Sequence, residues 1–188
     1  MKKVFIVGSI NMDLVIASDR LPLMGETIHG RDFFTNPGGK GANQAVAVQK
    51  SGGDARFCAC VGNDDFGDIL IGGLKACGVD TRFVTREDAP SGVAVITVVD
   101  GDNCIVLGAG ANANMDISKA EQCLREADAG DILLVQLEID SDAVLFALRR
   151  AKEKGMTMNT LLVVNALFYA KDGLTQSEIC ATVHHSKQ

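Results

Sequence analysis

Residues 3–13 read Lys-Val-Phe-Ile-Val-Gly-Ser-Ile-Asn-Met-Asp, a short apolar run that ends at a glycine and passes directly into polar side chains. Such a run is typical of a buried strand in a parallel sheet. Polar residues that follow the strand lie at its carboxyl end, where open α/β sheets bind ligands. In an extended segment Asn11 and Asp13 face the same way. They could hold vicinal hydroxyls or cap backbone groups in a turn, and both interpretations stay open.

Apolar strands alternate with amphipathic helices along most of the chain. This alternation predicts an α/β fold, a Rossmann-like three-layer sandwich with a parallel sheet. The predicted helices are 40–50, 65–77, 117–127 and 140–154, and the predicted buried strands are 3–7, 56–61, 83–85, 132–137 and 156–164. A small projecting sheet is predicted from strands outside the alternation, at 12–17, 27–35, 93–99 and 103–107. The last two strands flank an Asp-Gly-Asp turn, which is typical of a hairpin.

Composition and charge exclude several kinds of partner. The chain has 188 residues, a length that suits one domain with at most a small appendage. The net charge is −6 and the basic residues are scattered, so we expect no nucleic-acid partner. No apolar stretch reaches the length of a membrane span, and the first apolar run is too short for a signal peptide. We therefore expect no membrane contact and a cytoplasmic location.

The six cysteines do not have the spacing of a metal or redox site. The closest pair is Cys58 and Cys60, which on a strand would point into one apolar layer. We expect buried, reduced thiols. His184 and His185 lie in a polar tail, so we expect them to be solvated rather than to bind a metal.

A glycine-rich segment precedes the first predicted helix and reads Gly38-Gly39-Lys40-Gly41-Ala42-Asn43-Gln44. Glycine lets backbone amides approach a ligand closely, and the first turn of a helix offers unpaired N–H groups. The segment is not the phosphate loop of nucleotide hydrolases, because that loop requires Ser or Thr after its lysine. The alternative is an ordinary glycine-rich helix start. Three glycines beside a lysine and an amide within so short a segment make this alternative less favoured.

Five motifs in order resemble the amino-terminal signature of the ribokinase family of carbohydrate kinases. The resemblance runs from residue 1 to about residue 155 and is carried by residues 8–13, 21–27, 38–44, 61–67 and 110–113. It implies a ribokinase-like fold in which the projecting sheet is a lid that closes over the sugar and often pairs two subunits. It also implies ATP-dependent phosphorylation of D-ribose to ribose 5-phosphate, with Mg²⁺ and a monovalent cation, K⁺.

The resemblance also implies roles for particular residues. It assigns the sugar pocket to Asn11, Asp13, Gly39, Lys40, Gly41, Asn43 and Glu138. The first two would hold ribose hydroxyls, and Lys40 and Gly41 would shape the loop. Glu138 follows the strong strand at 132–137 and would reach the sugar, with capping of the next helix as the alternative.

The catalytic aspartate that the resemblance would require, in a Gly-Ala-Gly-Asp motif, is not found in the sequence. The nearest match is Gly108-Ala109-Gly110-Ala111-Asn112, which lacks the carboxylate. Residues for the nucleotide and the cations are also expected to be absent, as is the carboxyl-terminal half of the fold. We expect residues 1–165 to form a truncated domain and 166–188 an atypical tail. Two interpretations remain: a sugar kinase, or a non-catalytic sugar-binding remnant of a truncated gene.

Overall fold

The computed structural model describes residues 2–158. In chain order the strands are β1 (Lys3–Val7), β2 (Asn11–Ala17), β3 (Arg31–Gly38), β4 (Asp54–Gly62), β5 (Asp80–Glu87), β6 (Gly92–Val99), β7 (Asp102–Gly108), β8 (Ile132–Val135) and β9 (Thr157–Met158). The helices are α1 (Lys40–Lys50), α2 (Asp65–Ala76), α3 (Ile117–Leu124) and α4 (Ser141–Glu153). A 3₁₀ turn at Gly110–Asn114 follows β7.

Within the described residues the main sheet contains five strands in the order β5-β4-β1-β8-β9, and all neighbours are parallel. Successive side chains of β1 enter opposite layers, as the period of a strand requires. Phe5 packs in the core beneath α3 and α4, whereas Ile6 packs in the core beneath α1 and α2. Because helices cover both faces, the predicted three-layer α/β sandwich is confirmed.

The part of the chain that the structure describes contributes four strands to the second sheet, in the order β3-β2-β6-β7. The pair β2–β6 is parallel, and the two outer pairs are antiparallel. β2 begins four residues after β1 ends, so one continuous segment passes from the main sheet into the second. The sheet projects because most of its residues find no helix to cover them, and every residue of β7 is exposed.

Several boundaries differ from the sequence prediction. The strand predicted at 27–35 lies at Arg31–Gly38 and includes Pro37, which is tolerated because β3 is an edge strand without a neighbour on its outer side. The helix predicted to reach residue 127 ends at Leu124. The strand predicted at 132–137 ends at Val135, so the chain has left the sheet before Glu138. Of the strand predicted at 156–164, residues 156–158 lie within the described part of the chain, and Thr157–Met158 form β9 there.

The thiols of the described residues differ in exposure, and Cys77 is half-buried. Cys58, Cys60 and Cys123 are buried as expected, and burial raises the pKa of Cys60 to about 11. For Cys104 the expectation of burial is wrong, because it lies on the uncovered strand β7. Cys180 and the two tail histidines lie outside the described residues.

Within the described residues, no helix has both the length and the apolar character needed to cross a membrane. Residues 2–158 also contain no group of three or more His, Cys, Asp or Glu side chains that could hold a metal ion.

Close backbone contact joins the start of α1 to the segment between β1 and β2. The Ala42 N–H donates to the Ser9 carbonyl at 3.0 Å. A Cβ on Gly41 would lie 2.7 Å from that carbonyl oxygen and 2.8 Å from the Ser9 nitrogen, distances that real Cβ atoms do not show. The helix can therefore approach only because residue 41 is glycine.

We predict opposite effects of Gly→Ala at two helical positions. Gly41→Ala should destabilise the protein by about 1–3 kcal/mol, because the added methyl group overlaps backbone that cannot move aside. Gly72→Ala, in the exposed interior of α2 with no atom within 4 Å of the new methyl group, should stabilise it by up to about 1 kcal/mol. Chemical unfolding followed by circular dichroism measures both changes. Equal shifts of the two variants would contradict the packing described.

Candidate functional site

A cavity of about 390 Å³ lies where the carboxyl edge of the main sheet meets the second sheet. Six of the seven predicted site residues line it: Asn11, Asp13, Gly39, Lys40, Asn43 and Glu138. Gly41 does not line the cavity, because it packs against Ser9 instead. The volume is in the range of pockets for small molecules. Two larger hollows, of about 420 and 580 Å³, contain none of the seven residues.

The strand register of the second sheet shows that polar and apolar side chains lie side by side on one face. One cross-strand row contains Asn36, Asp13, Ala94 and Leu107, and the next row outward contains Phe34, Val15, Ile96 and Ile105. The cavity is lined from this sheet by Asp13 and by Ala94, Ile96, Ile105 and Leu107. A ligand there would meet polar groups on one side and apolar side chains on the other.

Asp13 contributes a carboxylate that has no hydrogen-bond or ion-pair partner among residues 2–158. Its pKa is raised, first by burial and then by the nearby negative charge of Glu138, and no hydrogen bond from the described residues lowers it. Its side chain lies over Gly38, where a Cβ would approach Oδ2 to 2.3 Å. The carboxylate is therefore an acceptor that a ligand could satisfy, and the interpretation that it caps backbone groups is wrong.

Glu138 is held from two directions. Its Oε2 accepts a hydrogen bond from Ser9 Oγ at 2.7 Å, and its Oε1 accepts one from Lys40 Nζ at 2.5 Å. Burial alone would raise the pKa of Glu138, but the bonds from Lys40 and Ser9 outweigh burial and lower it. The alternative that Glu138 caps the next helix is wrong, because Asp140 accepts the N–H groups of Asp142 and Ala143 at the start of α4.

Sheet topology explains why Ser9 meets Glu138 across 129 residues of sequence. β1 and β8 are adjacent and parallel, with Val7 opposite Val135, so the residues that follow both strands emerge at the same edge. Ser9 is fully buried, which leaves Glu138 as the partner for its hydroxyl.

The loop before α1 completes the site. Gly39 has φ = +91°, a conformation that glycine adopts readily and other residues rarely do. A Cβ there would lie 2.7 Å from the Asn11 nitrogen and from Ile10 Cα. Gly39 thus brings Lys40 and Asn43, on the first turn of α1, beside Asn11.

The sequence analysis missed three residues that support the site. Ser9 holds Glu138, and buried Asn112 donates to Asn11 Oδ1 at 2.7 Å. Gln136 is also buried, and its Nε2 donates to Gln44 Oε1, which ties the end of β8 to α1. Ser9 and Asn112 lie in motifs quoted above, and Gln136 lies two residues before Glu138. No local pattern shows which distant group each of them contacts.

Together these side chains suit a neutral ligand with many hydroxyl groups. Asp13 and Glu138 offer acceptors, whereas Asn11 and Lys40 carry amide and ammonium donors. A hydroxyl group can donate and accept at once, so it can bridge such groups. A cavity lined in this way suits a small molecule with polar groups.

The sequence matches the pfkB family of carbohydrate kinases over residues 1–184, and the chain belongs to this family. It is 41% identical over 147 residues to the ribokinase of Bacillus subtilis, a match that covers 77% of this chain and 50% of that protein. It is 39% identical over 155 residues to the ribokinase of Mus musculus, covering 81% of this chain and 48% of that protein. The chain spans about half the length of these curated relatives.

A solved structure of Arabidopsis thaliana ribokinase complexed with ribose and ATP is similar to this one. The TM-score is 0.75 at 26% sequence identity, and the match covers 99% of this chain and 68% of that chain. The resemblance to the ribokinase family, and the fold that it implied for this part of the chain, are therefore confirmed.

We predict that Asp13→Asn makes the protein more stable at neutral pH. The raised pKa means that the folded state holds the proton of Asp13 more tightly than the unfolded chain does, so ionisation at neutral pH costs stability. Below the ordinary pKa of 3.8 both states are protonated and the cost disappears. The gain in melting temperature should therefore be present at pH 7 and absent below about pH 4.

Thermal unfolding across this pH range measures the effect. The control is Asp88→Asn, which makes the same change at an exposed position and should shift the melting temperature little at any pH. A lower melting temperature of Asp13→Asn at pH 7 would contradict the prediction.

Proposed function

We propose that this chain carries the sugar-binding part of a ribokinase, an enzyme that transfers a phosphoryl group from ATP to D-ribose and releases ribose 5-phosphate and ADP. The observation that carries the proposal is the convergence of Asn11, Asp13, Lys40 and Glu138 on one cavity from distant parts of the chain. The names of the relatives support ribose as the sugar. Because the reaction consumes ATP, we propose a cytoplasmic location.

Each group has a proposed role in sugar recognition. Asp13 and Glu138 accept hydrogen bonds from hydroxyl groups, and Asn11 and Lys40 donate to them. Gly39 and Asn43 complete the pocket, while Gly41 shapes the loop by its contact with Ser9. A sugar that lacks one hydroxyl would leave a buried polar group unpaired, which gives the site its specificity.

The second sheet is the proposed lid. Its side chains Ala94, Ile96 and Leu107 line the cavity together with Asp13 of the same sheet. Covering the sugar with apolar groups would exclude water from the site. This exclusion matters because ATP would otherwise be hydrolysed instead of transferring its phosphoryl group to the sugar.

Family membership implies ATP, and we propose Mg²⁺ and K⁺ with it. The segment most similar to the expected phosphate motif does not fit a phosphoryl group. Ala111 stands where that motif has its aspartate, and the residue after it, Asn112, has a buried amide that is bonded to Ile10 and Asn11. We therefore derive no transfer step from this chain. This observation favours a second candidate function, sugar binding without turnover.

Calorimetry and a coupled ATP assay test these proposals on the purified chain of 188 residues. We expect D-ribose to release or absorb heat at millimolar concentration and Asp13→Ala to abolish that signal, because the variant removes a ligand acceptor. Asp88→Ala, at an exposed position, should bind as the wild type does. ATP turnover with ribose should stay at background.

Two outcomes would contradict these expectations separately. No heat with wild-type protein at millimolar ribose would refute the sugar site. Turnover above background would refute the binding-only alternative and leave the kinase proposal standing.

We further propose that two copies pair through the second sheet. The outward row of Phe34, Val15, Ile96 and Ile105 continues the cavity face as an apolar band, with Phe34 54% and Ile105 50% exposed. Contiguous exposed apolar surface of this kind marks interaction sites.

Phe34→Glu should convert dimers to monomers, because it places a charge within the apolar band. Analytical ultracentrifugation measures the mass. Val106→Glu is the matched control: Val106 is 71% exposed, and it alternates with Ile105 and Leu107 and so lies on the opposite face. A wild-type monomer at micromolar concentration, or dissociation by Val106→Glu alone, would refute pairing through this face.

A further inference from the structure

Asn112 is a buried amide whose orientation is set by backbone chemistry. It is 1% exposed and lies in the 3₁₀ turn that follows β7. Its Oδ1 accepts the N–H of Ile10 at 3.0 Å, and its Nδ2 donates to the carbonyl of the same residue at 3.0 Å. A backbone N–H can only donate and a carbonyl can only accept. The Asn112 amide therefore cannot turn over without losing both bonds.

The second hydrogen on Asn112 Nδ2 extends this fixed polarity to Asn11. An amide nitrogen carries two hydrogens, and the second is donated to Asn11 Oδ1 at 2.7 Å. Because that partner atom must be an acceptor, Asn11 turns its oxygen toward Asn112. Asn11 also lines the cavity, so its Nδ2 is the polar atom that remains for a ligand.

Gly92 provides the space for these two amides. It begins β6 and lies opposite Asn11 in the sheet register. A Cβ at this position would lie 2.1 Å from Asn112 Nδ2 and 2.4 Å from Asn11 Oδ1. A side chain at position 92 would displace one of the amides, so the pair requires glycine here.

We propose that Asn112 is a positioning residue that fixes the Asn11 carboxamide, so that the cavity contains a hydrogen-bond donor beside the acceptors Asp13 and Glu138. This inference rests on the proposed sugar-binding function and adds the residue that sets its donor–acceptor pattern. A hydroxyl group between Asn11 and a carboxylate accepts from one and donates to the other. With the Asn11 amide turned over, the same hydroxyl group would meet acceptors only.

Hydrogen exchange in the wild-type chain tests the orientation without any variant. We expect the two side-chain amide hydrogens of Asn112 to exchange slowly with solvent in NMR spectra of ¹⁵N-labelled protein. Those of Asn11, which lines the cavity although the residue is only 5% exposed, should exchange faster than those of Asn112 in the free protein and more slowly once D-ribose is added. An Asn11 amide that exchanges as slowly as the Asn112 amide in the free protein, or a rapidly exchanging Asn112 amide, would overturn the proposal.

Calorimetry with ribose and its monodeoxy analogues separates positioning from general stabilisation. Asn112→Ala should weaken D-ribose binding by about tenfold, roughly the effect of one lost hydrogen bond. One analogue lacks the hydroxyl group that Asn11 binds, and the wild type and the Asn112→Ala variant should bind this analogue equally well. The substitution and the missing hydroxyl group remove the same interaction, so their effects on the binding free energy do not add. Equal weakening of every sugar would show a merely structural role and overturn the proposal. Asn114→Ala, an exposed neighbour in the same turn, should bind all sugars as the wild type does.

A second variant covers the case in which Asn112→Ala does not fold. Asn11→Asp keeps an acceptor for Asn112 but turns the cavity donor into an acceptor, and it should show the same selective loss. Failure of wild-type protein to bind ribose would refute the proposed function. Hydrogen exchange in the free protein would still decide the orientation of the Asn11 and Asn112 amides. The positioning role alone would be refuted if the variant that folds, Asn112→Ala or Asn11→Asp in its place, bound ribose as strongly as the wild type does.

Discussion

The close approach of two backbone segments is the constraint on which the rest of this structure depends. The segment after β1 and the start of α1 meet without side chains between them, because Gly39 and Gly41 leave no room for a Cβ against Ile10 and Ser9. This contact fixes the point where the chain crosses from the main sheet to the second sheet. It also places the first turn of α1 beside the carboxyl ends of β1 and β8. The cavity forms at this junction because three segments that are distant in sequence are held there by backbone geometry.

Periodicity was enough to predict most of the regular structure. The helix at Lys40–Lys50 and the strand at Lys3–Val7 lie where the pattern indicates, because a glycine marks a boundary of each. Edge strand β3 was displaced, since an exposed strand carries no burial pattern to locate it. The 3₁₀ turn at Gly110–Asn114 was missed because a single turn has no period.

The site was only partly accessible to sequence reasoning. Asn11 and Asp13 could be proposed from their spacing after a strand, whereas Glu138 came from the family resemblance. The partners Ser9 and Asn112 could not be proposed, because their contacts depend on which strands are neighbours. A buried polar residue needs a partner, but the sequence does not say which one. That information resides in sheet order, and sheet order is a property of the whole fold.

The two carboxylates of the cavity differ in a way that connects stability to binding. Glu138 accepts bonds from Ser9 and Lys40, although Lys40 is 68% exposed and water screens its charge. Asp13 has no such bonds from the described residues, belongs to the second sheet, and lies near the negative charge of Glu138 on the main-sheet side. Burial is the larger cause of the raised pKa of Asp13, and the repulsion from Glu138 that adds to it acts between the two sheets that enclose the cavity. A neutral ligand that donates hydroxyl hydrogens to both carboxylates would relieve the cost of burying them. The instability expected of the cavity and the affinity proposed for a polyhydroxyl ligand would thus have one physical origin, the unmet acceptor capacity of Asp13 beside Glu138.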